Sequence, residues 1–276
     1  MEVDGLRRKS YETEGGKISY WVSEAADPEA PWLVFLPGLT ADHRLFGAQL
    51  EHFAGKENVL SWDPPSHGDS RPFALGWTLD DLARWLHGIL QVEGAERPVL
   101  VGQSMGGYTA QAYLRLFPDD AAGFVSIDSC PLGHEYYTGW ELLALRHTKL
   151  MYLSIPWNAL KSFGENGCAT SEEGRQIMRA MLESYGKREY CELAAHGFRT
   201  LADAIGPNRA YPIPCPILLI CGEKDMAGSA KRYNRQWERR IGIPVNWIEG
   251  AGHNSNTDAP ETVNRLIKEF LEGAVG

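Results

Sequence analysis

Short, mainly apolar runs recur along the chain at Trp32–Leu36, Asn58–Trp62, Pro98–Val101, Gly123–Ile127 and Pro216–Ile220. A run of this length without polar alternation is what a strand covered on both faces shows. Segments of helical period lie between them. Leu79–Val92 carries apolar residues at 79, 82, 86, 89 and 90, with Thr78 placed as an N-cap, and Leu45–Ala54 reads as a second helix. Strands alternating with helices require right-handed crossovers, hence a mostly parallel sheet with helices on both faces. Ser10–Ser23 alternates instead and reads as a hairpin turning at Glu14-Gly15-Gly16, while Pro244–Ile248 supplies a last strand.

The rhythm breaks between Cys130 and Tyr211, where no convincing buried strand occurs. Helical stretches are expected at Trp140–Leu153, Trp157–Phe163, Ser171–Tyr185 and Lys187–Ile205, punctuated by Pro156, Gly164-Glu165-Asn166-Gly167 and Gly186. The proline-rich Tyr211–Pro216 then leads, stiff and extended, into the next strand. So much helix between two successive core strands reads as a cap. With Lys187–Ile205 taken as a crossover helix, residues 1–131 and 187–276 form the core and 132–186 the cap, inserted after the sixth strand. The cap is rich in aromatic residues (Tyr136, Tyr137, Trp140, Tyr152, Trp157, Phe163). Trp140 and Trp157 are its candidate substrate-pocket residues.

One of the strands ends in Gly102-Gln103-Ser104-Met105-Gly106, and Gly107–Leu114 after it reads as helix. A strand turning sharply into a helix holds the residue at its apex in strained backbone angles, with small residues on either side. Ser104 is thereby a candidate nucleophile, and the Met105 N–H can face a developing oxyanion. Downstream, Asp225 ends Cys221-Gly222-Glu223-Lys224-Asp225 just past a strand, and His253 ends Gly250-Ala251-Gly252-His253 just past another. Imidazole titrates near neutral pH, which suits His253 to pass a proton from the serine to a leaving group. The helix after it is expected to open with Asp258 as N-cap and Pro260 in the first turn.

The order Ser, Asp, His at successive strand ends resembles the α/β-hydrolase superfamily in its cap-bearing form, over about Ile18 to Leu271. The resemblance implies an eight-stranded, mostly parallel α/β sheet with an inserted helical cap, and Asp225 as the carboxylate that orients His253. Asp128, after the preceding strand, is the second choice, since some relatives keep their acid there. The resemblance also places a second oxyanion donor, the Leu39 N–H, in Leu36-Pro37-Gly38-Leu39-Thr40, where many relatives carry His-Gly in place of Pro37-Gly38. Asp63-Pro64-Pro65-Ser66-His67-Gly68 matches the family's glycine-rich turn, with Ser66 standing for a usual glycine.

A chain of 276 residues suffices for one large α/β domain. Its formal net charge of -9 argues against nucleic acid or an anionic membrane surface as partner. The five cysteines are scattered, without C-x-x-C, as expected of thiols in a reducing compartment, and with no apolar leader the cytoplasm is the expected location. No spacing suggests a metal site and no glycine-rich motif suggests a nucleotide, so no cofactor is expected. The expected activity is hydrolysis of a carboxylic ester, thioester or lactone of a small, mostly apolar molecule. The same groups would also serve C–C bond hydrolysis, perhydrolase or lyase chemistry, or a slow-turnover receptor for a small ligand.

Overall fold

The structure, a computed structural model, describes residues 5–27 and 29–275. The chain opens with a hairpin, β1 (Arg7–Thr13) and β2 (Gly16–Ser23), followed by β3 (Trp32–Leu36), α1 (Gly47–Phe53), β4 (Asn58–Trp62) and α2 (Leu79–Glu93). Next come β5 (Val99–Gln103), α3 (Met105–Leu116) and β6 (Gly123–Ile127). A helical stretch follows: α4 (Gly139–Arg146), α5 (Thr148–Ser154), α6 (Trp157–Cys168), α7 (Glu172–Glu183) and α8 (Lys187–Ile205). The chain closes with β7 (Ile217–Gly222), α9 (Ala230–Ile241), β8 (Val245–Ile248), α10 (Ser255–Asp258) and α11 (Pro260–Phe270).

The strands form one eight-stranded sheet in the order β1-β2-β4-β3-β5-β6-β7-β8. β2 pairs antiparallel with β1 and with β4, and every later pair is parallel. The central strands β4, β5 and β6 are buried at all positions, which explains why their sequences are mainly apolar without polar alternation. Each fully buried Val, Leu or Phe there contributes about 1.5–3 kcal/mol. α2 starts where Thr78 and Asp81 complete a reciprocal capping box and ends on left-handed Gly94, burying Leu79, Leu82, Leu86, Ile89 and Leu90.

Departures from the sequence expectation gather in the helical stretch. Trp140–Leu153, expected as one helix, breaks at His147, whose ring Nδ1 lies 2.9 Å from the Leu143 carbonyl while its own N–H turns to Ala144. The expected helix Trp157–Phe163 runs on through its glycines to Cys168. Gly164 is there because α6 presses on α7: a Cβ would meet Leu182 Cδ1 at 2.8 Å. α4 and α5 rest on α8, so this last helix joins the others rather than only crossing back to the sheet. Asp258 does not cap α11, which opens on Pro260 with Ala259 at the N-cap and no side-chain cap bond. The stretch is pinned at its start, where the Gln111 side chain accepts from the Leu132 N–H (2.9 Å) and donates to the Cys130 carbonyl (2.8 Å).

Candidate active site

Ser104 lies between β5 and α3 with φ 51° and ψ −117°, a positive-φ conformation that costs a non-glycine residue about 1–3 kcal/mol. The surroundings over-determine it. The Ser104 N–H donates to the Ile127 carbonyl (2.9 Å), and its carbonyl accepts from the Gly107 N–H (3.0 Å) and the Ser129 hydroxyl (2.7 Å). Gly106 leaves no alternative to glycine, since a Cβ would fall 1.8 Å from the Leu36 carbonyl oxygen.

His253 Nε2 lies 2.9 Å from Ser104 Oγ, and His253 Nδ1 lies 3.0 Å from Asp225 Oδ2. The Asp225 side chain is fully buried and that of His253 is 13% exposed. The other Asp225 oxygen accepts from the Ala227 N–H at 2.7 Å, so one face of the carboxylate is held by backbone and the other by imidazole. Burial alone would lower the His253 pKa. The charge and hydrogen bond of Asp225, and then the charge of Asp128, outweigh it and hold the pKa above that of a free imidazole.

Asp128 makes no bond to His253. Its oxygens accept from the Gly222 N–H (2.7 Å), the Ser255 N–H (2.8 Å) and the Ser255 hydroxyl (2.6 Å). It therefore fastens the end of β7, which leads to Asp225, to the start of α10, which follows His253. Burial first, and then the Asp225 charge, push its pKa well above the ordinary carboxylate value.

Gly38 brings the loop after β3 against the nucleophile: a Cβ there would lie 3.1 Å from Ser104 Cβ and 2.4 Å from Gln103 Oε1. The next residue, Leu39, packs its side chain on Gly197 of α8. Met105 is the first residue of α3, where a helix leaves N–H groups without intrahelical partners. Gln103, given no role in the sequence reading, ties the nucleophile turn to the histidine loop. Its amide donates to the His253 carbonyl (2.8 Å) and to Asn254 Oδ1 (3.2 Å). No local pattern marks it, because its partners are remote in sequence.

The two candidate pocket residues part company. Trp140 is 80% exposed and turned from the side of α4 that buries Leu142, so it is corrected to a surface residue. Two positions apart on a helix is half a turn, which carries the indole to the solvent side. Trp157 is half-buried in an aromatic group around Tyr190, with ring centroids 5.3 Å away for Trp157, 6.2 Å for Tyr185 and 6.3 Å for Tyr152. Tyr190 in turn meets Thr40, the neighbour of Leu39.

Among the described residues two clusters gather three ligand-type groups each, Asp42–His43–Asp63 and Asp128–Cys221–Asp225. Protein donors already occupy the first: Asp63 accepts from the His43 N–H, faces its Nδ1 at 2.8 Å and accepts from the Asp69 N–H, while Asp42 binds Arg44. In the second, both Asp128 oxygens are bonded as described, and burial pushes the Cys221 thiol far up. Neither set suits a cation. Among the described residues no helix is long and apolar enough to cross a membrane.

The chain is 23% identical to a 2-(acetamidomethylene)succinate hydrolase of Mesorhizobium japonicum over 93% of both chains. It is 24% identical to the mouse (Mus musculus) sn-1-specific diacylglycerol lipase ABHD11 over 89% of this chain and 82% of that one. A thermophilic esterase from Thermogutta terrifontis superposes with a TM-score of 0.75 at 21% identity, covering 98% of this chain and 100% of the other. Residues 33–266 match the Alpha/beta hydrolase family, and the chain belongs to that family.

Proposed function

We propose that this chain is a serine hydrolase that cleaves a carboxylic ester, thioester or lactone of a small, mostly apolar molecule through an acyl-enzyme. One observation carries the reading: Ser104 Oγ, strained at the tip of its turn, lies 2.9 Å from His253 Nε2, and the other ring nitrogen lies 3.0 Å from buried Asp225. In this reading His253 takes the hydroxyl proton as Ser104 Oγ attacks the carbonyl carbon. Asp225 fixes the tautomer and stabilises the imidazolium, and the Leu39 and Met105 N–H groups receive the oxyanion. Collapse of the tetrahedral intermediate passes the proton to the leaving group. Water, activated by the same imidazole, then hydrolyses the acyl-enzyme. The aromatic group around Tyr190 supports an apolar acyl or ring-bearing substrate, and residues 132–186 are proposed as the lid over it.

A fluorophosphonate should label Ser104, and Ser104→Ala should abolish labelling and lower ester turnover by about 10⁴-fold. The substrate panel is p-nitrophenyl esters of graded chain length with lactones and thioesters alongside. Labelling confined to another serine, with turnover surviving in Ser104→Ala, would exclude the mechanism.

A further inference from the structure

Asp258 looks from the sequence like a helix cap, but its carboxylate reaches back 88 residues in the chain. Oδ1 accepts from the Ser171 N–H (2.8 Å) and the Ser171 hydroxyl (2.7 Å). Oδ2 accepts from the Thr170 N–H (2.9 Å) and, from the opposite side, the Gly252 N–H (2.8 Å). The Thr170 hydroxyl lies 2.9 Å from both Oδ2 and the Gly250 carbonyl, and the Asn254 N–H donates to the Cys168 carbonyl at 2.7 Å. Residues 168–171, the strap between α6 and α7, are thus bonded directly to Gly250 and Asn254 and, through Asp258, to Gly252, on both sides of His253. The Ser171 hydroxyl also caps α7 by accepting from the Gly174 N–H at 3.0 Å. Burial works against an ionised Asp258, yet the bonds from Ser171, Gly252 and Thr170 hold its pKa below the ordinary value.

We infer that Asp258 is a positioning residue for His253, the joint through which the strap between α6 and α7 holds the imidazole in line with Ser104. The inference rests on His253 being the base proposed above. A peptide that carries a catalytic side chain must be fixed to a fraction of an ångström, and a displacement near 1 Å costs about 100-fold in rate. Gly250 and Gly252 give the loop little stiffness of its own, so the stiffness comes from outside it. Asp258 provides this with one carboxylate, tied on one side to a helix N-terminus and on the other to the peptide next to His253.

The test compares the fluorophosphonate labelling rate of Ser104 in wild type, His253→Ala, Asp258→Ala and Thr170→Val, alongside kcat, KM and thermal unfolding. The small probe makes little use of the strap as a binding surface. A merely structural role would therefore lower the melting temperature or raise KM without slowing labelling. The expected result is labelling and kcat lowered about ten- to a hundredfold in Asp258→Ala, with KM changed far less. Thr170→Val removes one hydroxyl and keeps the side chain's shape; it should lower both about two- to tenfold, the scale of one hydrogen bond. Should Asp258→Ala fail to fold, Thr170→Val decides alone. If wild type labels, His253→Ala slows it, and both strap variants match wild type, the inference is overturned while the base assignment stands. If His253→Ala labels like wild type, the base assignment falls and the inference with it.

Discussion

At the scale of single residues, Asp225 and Asp128 both act on the same imidazole, but through different means. Asp225 holds the ring through Nδ1, whereas Asp128 commits its oxygens to Gly222 and Ser255. Asp225→Asn should lower kcat by several powers of ten, about 10⁴-fold, because an amide there favours the wrong tautomer. Asp128→Asn should act mainly on stability, since its new N–H₂ would face a donor. The pH profile gives a second check. In the proposed mechanism the neutral imidazole is the reactive form, and Asp225 raises its pKa, so kcat/KM should rise with pH along a limb above that of free imidazole. Removing the Asp225 charge should move that limb to lower pH. A larger kcat loss in Asp128→Asn, or a limb unmoved in Asp225→Asn, would reverse the assignment. Ser104, Asp225 and His253 were legible because each ends a strand in a glycine-bearing turn. Gln103, Ser129 and Asp258 were not, because what they do depends on partners that only the folded chain brings near.

Among the elements, the strands were legible for a plain reason: full burial removes polar alternation from the sequence. The helical stretch was harder to read, since glycine carries two meanings there. Gly186 separates two helices, whereas Gly164 lies inside one so that α6 can approach Leu182. Nothing in Arg146-His147-Thr148 announces the break between α4 and α5; the His147 ring makes it by competing for the Leu143 carbonyl. These helices also separate the two tryptophans. Trp157 belongs to the group around Tyr190, so Trp157→Ala should reorder a series of p-nitrophenyl esters by chain length. The scale is about 1–3 kcal/mol for each methylene that the indole no longer covers. Trp140→Ala, on the solvent side of α4, should leave the series as it is. An unchanged order in Trp157→Ala would move substrate choice to the sheet-side loops.

For the molecule as a whole, the question is whether the helical stretch and the sheet behave as one body. A single continuous cluster of buried apolar residues runs from the sheet through Leu142, Leu160, Met178, Met181, Leu182 and Tyr190. Met181 of α7 is fully buried, and its Sδ accepts from the Asp42 N–H at 3.4 Å, in the loop after β3. Asp258 fastens the same helix to the histidine loop. Opening α7 alone would therefore expose core surface and break bonds to two loops of the site, which leaves little gain in unfolding it before the rest. Calorimetry should show one transition. Met181→Ala should lower stability by about 2–5 kcal/mol, through lost transfer energy and the cavity it leaves, and should shift that transition without splitting it. Turnover of p-nitrophenyl esters at low temperature should be affected less than the melting temperature, because the Met181 Sδ bonds the Asp42 N–H and not a member of the proposed triad. Two transitions, with only the lower one moved by Met181→Ala, would mean that the helices melt as a separate unit over a sheet that stands without them.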